Sequence, residues 1–300
     1  MKSCLLIPYF GKLPEWTSFF LKSCSKNNNY DFYIITDDKR KFEEYDNVKF
    51  IYYTFDDYCK QIRKKLHLKD VIYNYYKLND IKPFLYFIHN DIIENYNYWG
   101  YCDIDLVFGN LDSFFKKYQD DNFYAISTHR DRFAGHFSLF KVNSFIEKCS
   151  PFKIPNWKKM LESEQHYGLE ETSFGYSIFN FYILFGERLG RLFLKKAPKI
   201  VSNDYLYGRK FLLNEYYTTP LTPIKFWDKS FGKHHPVDWK WISGHIYSNK
   251  DNYEVPYLHF MNFKKSGWNI VEPLWGNETT FQFINNSKCF FINKKGLLSE

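Results

Sequence analysis

The stretch Trp99-Gly-Tyr-Cys-Asp-Ile-Asp-Leu-Val-Phe-Gly-Asn-Leu111 decides how this chain is read. It is an apolar run that carries two aspartates, Asp103 and Asp105, one residue apart. In an extended strand alternate side chains share a face, so both carboxylates point to one side and Ile104 points into the opposite layer. Two unpaired carboxylates in an apolar setting repel each other and are costly to bury. A divalent cation removes both penalties: Mg²⁺ and Mn²⁺ take carboxylate oxygens, and Mg²⁺ keeps positions open for substrate phosphates. The alternative is a sheet-end turn whose carboxylates cap backbone groups and face water.

The flanks favour the cation. Trp99-Gly100-Tyr101 leads in, and a second apolar segment with Gly109 follows. A further ligand candidate lies in Tyr257-Leu-His-Phe-Met-Asn-Phe-Lys-Lys-Ser-Gly-Trp268. There His259 sits on an apolar strand, and a neutral imidazole can complete a Mn²⁺ site that two carboxylates begin. Lys264 and Lys265 follow in a loop, where a lysine can meet a diphosphate as a point charge. Taken singly, His259 also reads as a core histidine and the lysines as a solvated loop.

Upstream, Cys4–Pro8 is a short apolar strand closed by Pro8 and Gly11. Trp16–Ser25 has helical spacing, with Phe19, Phe20 and Cys24 on one side. Asp31–Asp37 and Val48–Tyr53 are further strands, and the charged segment Lys39–Tyr45 between them is expected to form a short helix. This opening predicts an α/β fold with a mostly parallel, Rossmann-type sheet flanked by helices. Phe55–Leu68 and Tyr73–His89 are expected to be helical, the latter interrupted at Pro83. Trp99–Phe108 is expected as one strand, followed by strands at Phe123–Ser127 and Phe133–Lys141. Trp157–Glu164 and Tyr176–Leu194 look helical. Beyond residue 200 the pattern is strand-rich and irregular, with candidates at Lys199–Ser202, Trp241–Tyr247, Tyr257–Met261 and Cys289–Asn293. No repeat, linker or low-complexity segment interrupts the chain, so residues 1–300 are expected to form a single domain with an irregular C-terminal third.

With 300 residues and 45% hydrophobic side chains the chain can bury a sizeable core. The formal charge of +7 suits phosphate-bearing ligands or an anionic membrane surface, but the basic residues are scattered. No aromatic-basic platform for nucleic acid is visible, which argues against that class of partner. The six cysteines form no CxxC pair and read as free thiols of a reducing compartment. The apolar start is too short for a signal-peptide core, and no run is long enough to span a bilayer. A cytoplasmic protein, with peripheral contact at the inner face of a membrane, is therefore expected.

These residues together resemble glycosyltransferases of the GT-A fold. The late segment is similar to the HFxGxxKPW motif of the glycogenin-like and lipopolysaccharide galactosyltransferase group. His259 and Lys265 fall on its His and Lys, and Lys264 is the neighbouring substitute. Asn262 replaces the motif's Gly, and Ser266-Gly267-Trp268 replaces Pro-Trp with one extra residue. A closer resemblance is to an uncharacterised bacterial family of surface-polysaccharide gene clusters. It carries IPYFGKxP (here Ile7–Pro14), K-x-x-D-x-KP (Lys77–Pro83), WGYxDxDLxFGxL (Trp99–Leu111) and GHFxL (Gly135–Leu139). The likeness runs from residue 3 to about 268.

The resemblance implies a role for each segment. Asp103, Asp105 and His259 hold Mn²⁺ or Mg²⁺, and Lys264 or Lys265 meets the diphosphate. Pro8, Tyr9 and Phe10 line the nucleotide base, although a loop aromatic can equally join the core. Asp37 sits near base or ribose, or caps a helix. Asp80 and Lys82 flank the sugar-nucleotide cleft, or form an exposed helix pair. Gly135 and His136 approach the donor sugar. Glu171, or Glu170, binds or deprotonates an acceptor hydroxyl, or simply places negative charge at a helix N-terminus.

The implied activity moves a sugar from a nucleotide diphosphate sugar, a UDP-sugar favoured, to a hydroxyl of a glycan or lipid-linked acceptor in surface-polysaccharide synthesis. The nucleotide-sugar half covers about 1–140 and the acceptor side about 141–300. The late His motif leans towards retention of anomeric configuration. A metal-dependent sugar nucleotidyltransferase is the first rival, but it calls for a Gly-rich loop where Pro8–Pro14 has a single Gly. A carbohydrate-binding module with aromatic sugar platforms is the second.

Overall fold

The computed structural model describes residues 1–69, 74–129, 132–175, 210–216, 218–220, 237–250, 252–265 and 272–300. The expected helix at Tyr176–Leu194, the strand at Lys199–Ser202 and the loop end Ser266–Trp268 lie outside them.

The strands are β1 Ser3–Pro8, β2 Tyr30–Thr36, β3 Val48–Tyr52, β4 Tyr98–Cys102, β5 Leu106–Phe108, β6 Ala125–Ser127, β7 Phe137–Lys141, β8 Phe211–Leu213, β9 Trp239–Ile242, β10 His245–Ser248, β11 Glu254–Val255, β12 Tyr257–His259, β13 Thr280–Gln282, β14 Cys289–Asn293 and β15 Gly296–Ser299. The α-helices are α1 Thr17–Cys24, α2 Phe55–Leu66, α3 Leu85–Ile88, α4 Asn90–Ile93, α5 Leu111–Asp120, α6 Val142–Lys148 and α7 Trp157–Glu162.

The fold is α/β with a mostly parallel central sheet, in the order β3-β2-β1-β4-β7-β6-β8. β1 is apolar along its length and runs parallel to both β2 and β4, with Leu5 between Phe32 and Gly100. Only glycine fits at position 100, where a Cβ would lie 2.1 Å from the Ser138 carbonyl oxygen across β7. β7 is antiparallel to β4 and β6. α2 covers one face through Tyr58, Ile62 and Leu66 at helical spacing. Its ends are fixed by Thr54, whose hydroxyl accepts the Asp57 N–H at 3.1 Å, and by His67 in the left-handed region.

α1 differs from the one-sided helix expected. Phe20, Leu21 and Cys24 pack on the central sheet, whereas Phe19 packs with Trp239, Trp241 and Phe290 of a second core. A helix buried on two sides lies between two sheets, and the second is the main departure from an irregular C-terminal third. Six strands order as β11-β10-β9-β14-β15-β13. Trp241–Tyr247 is not one strand: Ser243 and Gly244 both adopt positive φ and turn the chain between β9 and β10.

Two further expectations fail locally. Lys39–Tyr45 forms no helix. Arg40 instead clamps Asp38 and the Leu13 carbonyl, and Phe42 stacks on Phe50 of β3, so side-chain partners fix the segment in an irregular path. Tyr75–Phe84 is a 3-10 helix preceding α3. The 3-10 geometry eclipses residues three apart, which brings Lys77 onto Asp80.

Most consequential, Trp99–Phe108 is broken. β4 ends at Cys102, and β5 leaves the central sheet to pair antiparallel with β12. The two aspartates lie in the break, not within a strand. All six cysteines are free, and among the described residues no helix is long and apolar enough to cross a membrane.

Candidate functional site

The break after β4 is pinned by backbone groups. The Asp103 N–H donates to the His136 carbonyl at 3.1 Å, the Trp16 indole N–H donates to Ile104 O at 3.0 Å, and the Phe260 N–H donates to Asp105 O at 3.1 Å. In the β5–β12 ribbon Leu106 pairs with His259, so the imidazole stands beside Asp105. One ligand atom each from Asp103, Asp105 and His259 lies within 4.8 Å of the others. The carboxylates therefore converge because the chain changes sheets, not because of strand alternation.

His259 Nε2 lies 3.5 Å from Asp105 Oδ2, and its Nδ1 is engaged by the Thr219 hydroxyl at 2.9 Å. A hydroxyl on one ring nitrogen fixes the orientation of the other. Lys264 Nζ approaches Asp105 Oδ2 at 2.7 Å and lies 5.5 Å from the Trp16 ring centroid. Lys82 pairs with Asp103 and also donates to Gly135 O at 2.9 Å. Burial pushes the Asp105 carboxyl up, but Lys264 and His259 together hold it well below the usual carboxylate range. Burial lowers the ammonium of Lys264, and Asp105 more than restores it; Asp103 does the same for Lys82. Asp105 is buried, while the Asp103 side chain keeps 32% of its surface exposed. Two carboxylates and an oriented imidazole are a donor set that suits Mn²⁺ or Mg²⁺.

Of the two late lysines, Lys264 reaches the acidic pair and Lys265 is exposed. The motif register had favoured Lys265; the turn through Met261–Phe263 places Lys264 inward instead. Tyr9 is partly exposed at the end of β1, and its phenol, raised by burial, feels Lys264 and Asp105. Pro8 is likewise partly exposed. Phe10 belongs to the core, stacked on Tyr58 with ring centroids 5.1 Å apart. Asp37 caps no helix; it accepts the Gly11 N–H at 2.7 Å, and Asp38 accepts that of Leu13 at 2.8 Å, so both shape the loop after β1.

Asp80 and Lys82 are buried, not an exposed pair. Asp80 is held by Lys77 at 2.9 Å and by the N–H groups of Tyr167 and Leu169 at 3.0 and 2.9 Å, which leaves it a brace. Gly135 closes against the glutamates: its N–H donates to Glu171 Oε1 at 3.1 Å, and a Cβ there would lie 2.9 Å from the Cγ of both Glu170 and Glu171. Arg132 approaches Glu171 at 3.5 Å. Burial works to raise the Glu171 carboxyl, but Arg132 and His129 outweigh it and hold it down. Burial raises that of Glu170 to about 7. His136 is buried and stacks on His259 with ring centroids 4.4 Å apart.

Sequence reasoning missed Trp16, Lys77, His129, Arg132 and Glu215. Lys77 stood in the quoted K-x-x-D segment, whereas the partners of the others are distant in sequence and left no local signal.

A family model described as "Family of unknown function (DUF6625)" matches residues 5–272. No curated protein matches the chain. Among solved structures, mouse xyloside xylosyltransferase 1 in its apo form is similar at a TM-score of 0.40 and 9% identity, covering 86% of this chain and 97% of that one. The galactosyltransferase LgtC in complex with donor and acceptor sugar analogues gives a TM-score of 0.34 at 10% identity, covering 57% of this chain and 71% of that one. The glycosyltransferase GlyE of Streptococcus pneumoniae TIGR4 gives 0.32 at 12% identity, covering 72% and 46%. Scores this low transfer no residue's role.

Proposed function

From the premise that this chain belongs to the DUF6625 family, we propose that it is a metal-dependent glycosyltransferase that uses a nucleotide diphosphate sugar, UDP-linked for preference. The observation that supports the reading best is the convergence of Asp103, Asp105 and His259 at the end of β4, with Lys82 and Lys264 on the two carboxylates. Ligands of open α/β sheets gather at the carboxyl ends of the strands, and β1 and β4 both end here.

In this reading Asp103, Asp105 and His259 hold Mn²⁺ or Mg²⁺. The cation supplies charge neutralisation for a departing nucleoside diphosphate. Lys264, the more exposed of the two lysines, moves from Asp105 to the phosphates, while Lys82 stays anchored between Asp103 and Gly135 O and fixes the carboxylate. Tyr9 and Pro8 face the nucleotide. On the acceptor side Glu171 is occupied by Gly135 N–H and Arg132, whereas Glu170 Oε2 has no hydrogen-bond partner among the described residues. Glu170 is therefore the carboxylate able to take an acceptor proton. A glycan or lipid-linked hydroxyl in surface-polysaccharide assembly, with retention of configuration, completes the proposal.

A thermal-shift panel of UDP-, GDP-, CMP- and TDP-sugars, with and without Mn²⁺, tests it. A ligand that binds only the folded chain raises the melting temperature by mass action. Stabilisation is expected from one nucleotide class and only with Mn²⁺, together with slow release of that nucleoside diphosphate. Stabilisation by free glycans and by no nucleotide would favour a carbohydrate-binding module.

A further inference from the structure

We propose that His129, His136 and Glu171 form a second divalent-metal site, of the zinc class, beside the acidic pair and separate from it. One ligand atom from each of the three lies within 4.8 Å of the others. His129 and His136 meet edge to face with ring centroids 5.0 Å apart. Two further observations point to a ligand. His136 is buried, with 4% of its surface exposed, yet its Nε2 has no hydrogen-bond partner among the described residues. A buried ring nitrogen left unpaired is costly unless something coordinates it. Second, His129 Nδ1 lies 3.2 Å from Glu215 Oε2. A carboxylate on one nitrogen of a histidine leaves the other nitrogen to bind a metal and fixes the orientation of the ring.

The donor set selects the ion. Two imidazoles and one carboxylate suit Zn²⁺ better than Mg²⁺, which prefers oxygen ligands. Ligands about 2.1 Å from a tetrahedral Zn²⁺ lie about 3.4 Å apart, which is compatible with ligand atoms grouped within 4.8 Å. Glu171 also lies 3.5 Å from the partly exposed Arg132 guanidinium, which has to swing towards solvent for the ion to enter. The assignment moves His136 from direct contact with a donor sugar to holding a structural cation against the wall of the site. It stands whether or not the chain transfers sugars.

The test is Zn²⁺ stoichiometry after chelator treatment and dialysis, read by elemental mass spectrometry on the full chain. Wild type is expected to retain one equivalent. His129→Ala and Glu171→Gln are expected to lose it, with folding checked by circular dichroism. Asp105→Asn is expected to keep it. Glu215→Gln removes the carboxylate that lies on His129 Nδ1 and is expected to weaken Zn²⁺ by about 10–100-fold, the usual effect of removing an orienting partner. Absence of bound Zn²⁺ in wild type, or retention in His129→Ala at wild-type affinity, overturns the proposal. Loss in Asp105→Asn also overturns it, by assigning the ion to the acidic pair. Mn²⁺-dependent stabilisation by a nucleotide sugar, measured in His129→Ala, reports separately on the glycosyltransferase reading.

Discussion

Two lysines of one 3-10 helix, Lys77 and Lys82, each pair with an aspartate, and the pairs are built differently. Lys77 donates to Asp80, to Met160 O at 2.7 Å and to Gln165 O, which uses all three of its protons. Asp80 accepts two backbone N–H groups besides, and both side chains are fully buried. That pair ties the helix to the 160–169 segment, and Lys77 has no proton left to donate. Lys82 instead meets an aspartate whose side chain is one-third exposed, and Lys264, its side chain 30% exposed, meets Asp105. A saturated ion pair is a brace; an unsaturated one, partly open to solvent, has capacity for a ligand.

The largest expected effect breaks the open pair. Asp105→Ala is expected to reduce turnover by about 10⁴-fold, roughly 5 kcal/mol of barrier, in a chain that still folds. Nucleoside diphosphate release under single-turnover conditions measures it. Persistent turnover would remove Asp105 from the reaction. The saturated pair should respond in the opposite currency. Asp80→Ala strands a buried ammonium and is expected to cost about 4 kcal/mol of stability, seen in urea unfolding. If Asp80→Ala unfolded like wild type but lost activity, the distinction between the pairs would fail.

The sequence made the ingredients of both pairs visible but not their sorting. Lys77, Asp80 and Lys82 stood in one short segment, and nothing local separates a brace from a site residue. What separates them is the 160–169 backbone, more than 80 residues away. The early strands β1, β2 and β3 were legible because their apolar runs are buried in the sheet or bounded by turn residues. The break at Asp103–Asp105 was not, since period-two alternation continues through it and only pairing with β12 reveals the change of sheet. The expected helix at Lys39–Tyr45 failed for the same kind of reason: Arg40 finds Asp38 and Leu13, and tertiary partners override propensity.

A buried group on the brace side sharpens the comparison through pH. His89 lies between α3 and α4, and burial holds its imidazole down at about 4. Its Nε2 is 3.0 Å from the Tyr58 hydroxyl. Below the ordinary histidine value of about 6.5 the unfolded chain takes up a proton that the folded chain refuses. Stability is therefore complete above that value and falls as pH drops towards 4, by about 3 kcal/mol over the window. His89→Gln is expected to flatten this slope in urea midpoints taken at pH values across the window. An unchanged slope would assign the effect to other groups.

The smallest effects concern the two adjacent lysines, where motif register and geometry disagree. Register places Lys265 on the phosphate; geometry places Lys264 on Asp105 and leaves Lys265 exposed. Lys264→Ala leaves the buried Asp105 carboxylate with His259 alone, so its stability cost should be about 2 kcal/mol. If Lys264 meets the phosphates, its loss should weaken donor binding by about 10-fold, roughly 1.4 kcal/mol, seen in KM more than in kcat. Lys265→Ala, lacking a buried partner, should change stability and donor KM by less than about 0.5 kcal/mol. The order of the two KM values decides between the readings. A larger effect at Lys265 would mean that the loop turns over when donor binds, and that the open pair at Asp105 belongs to the free chain alone.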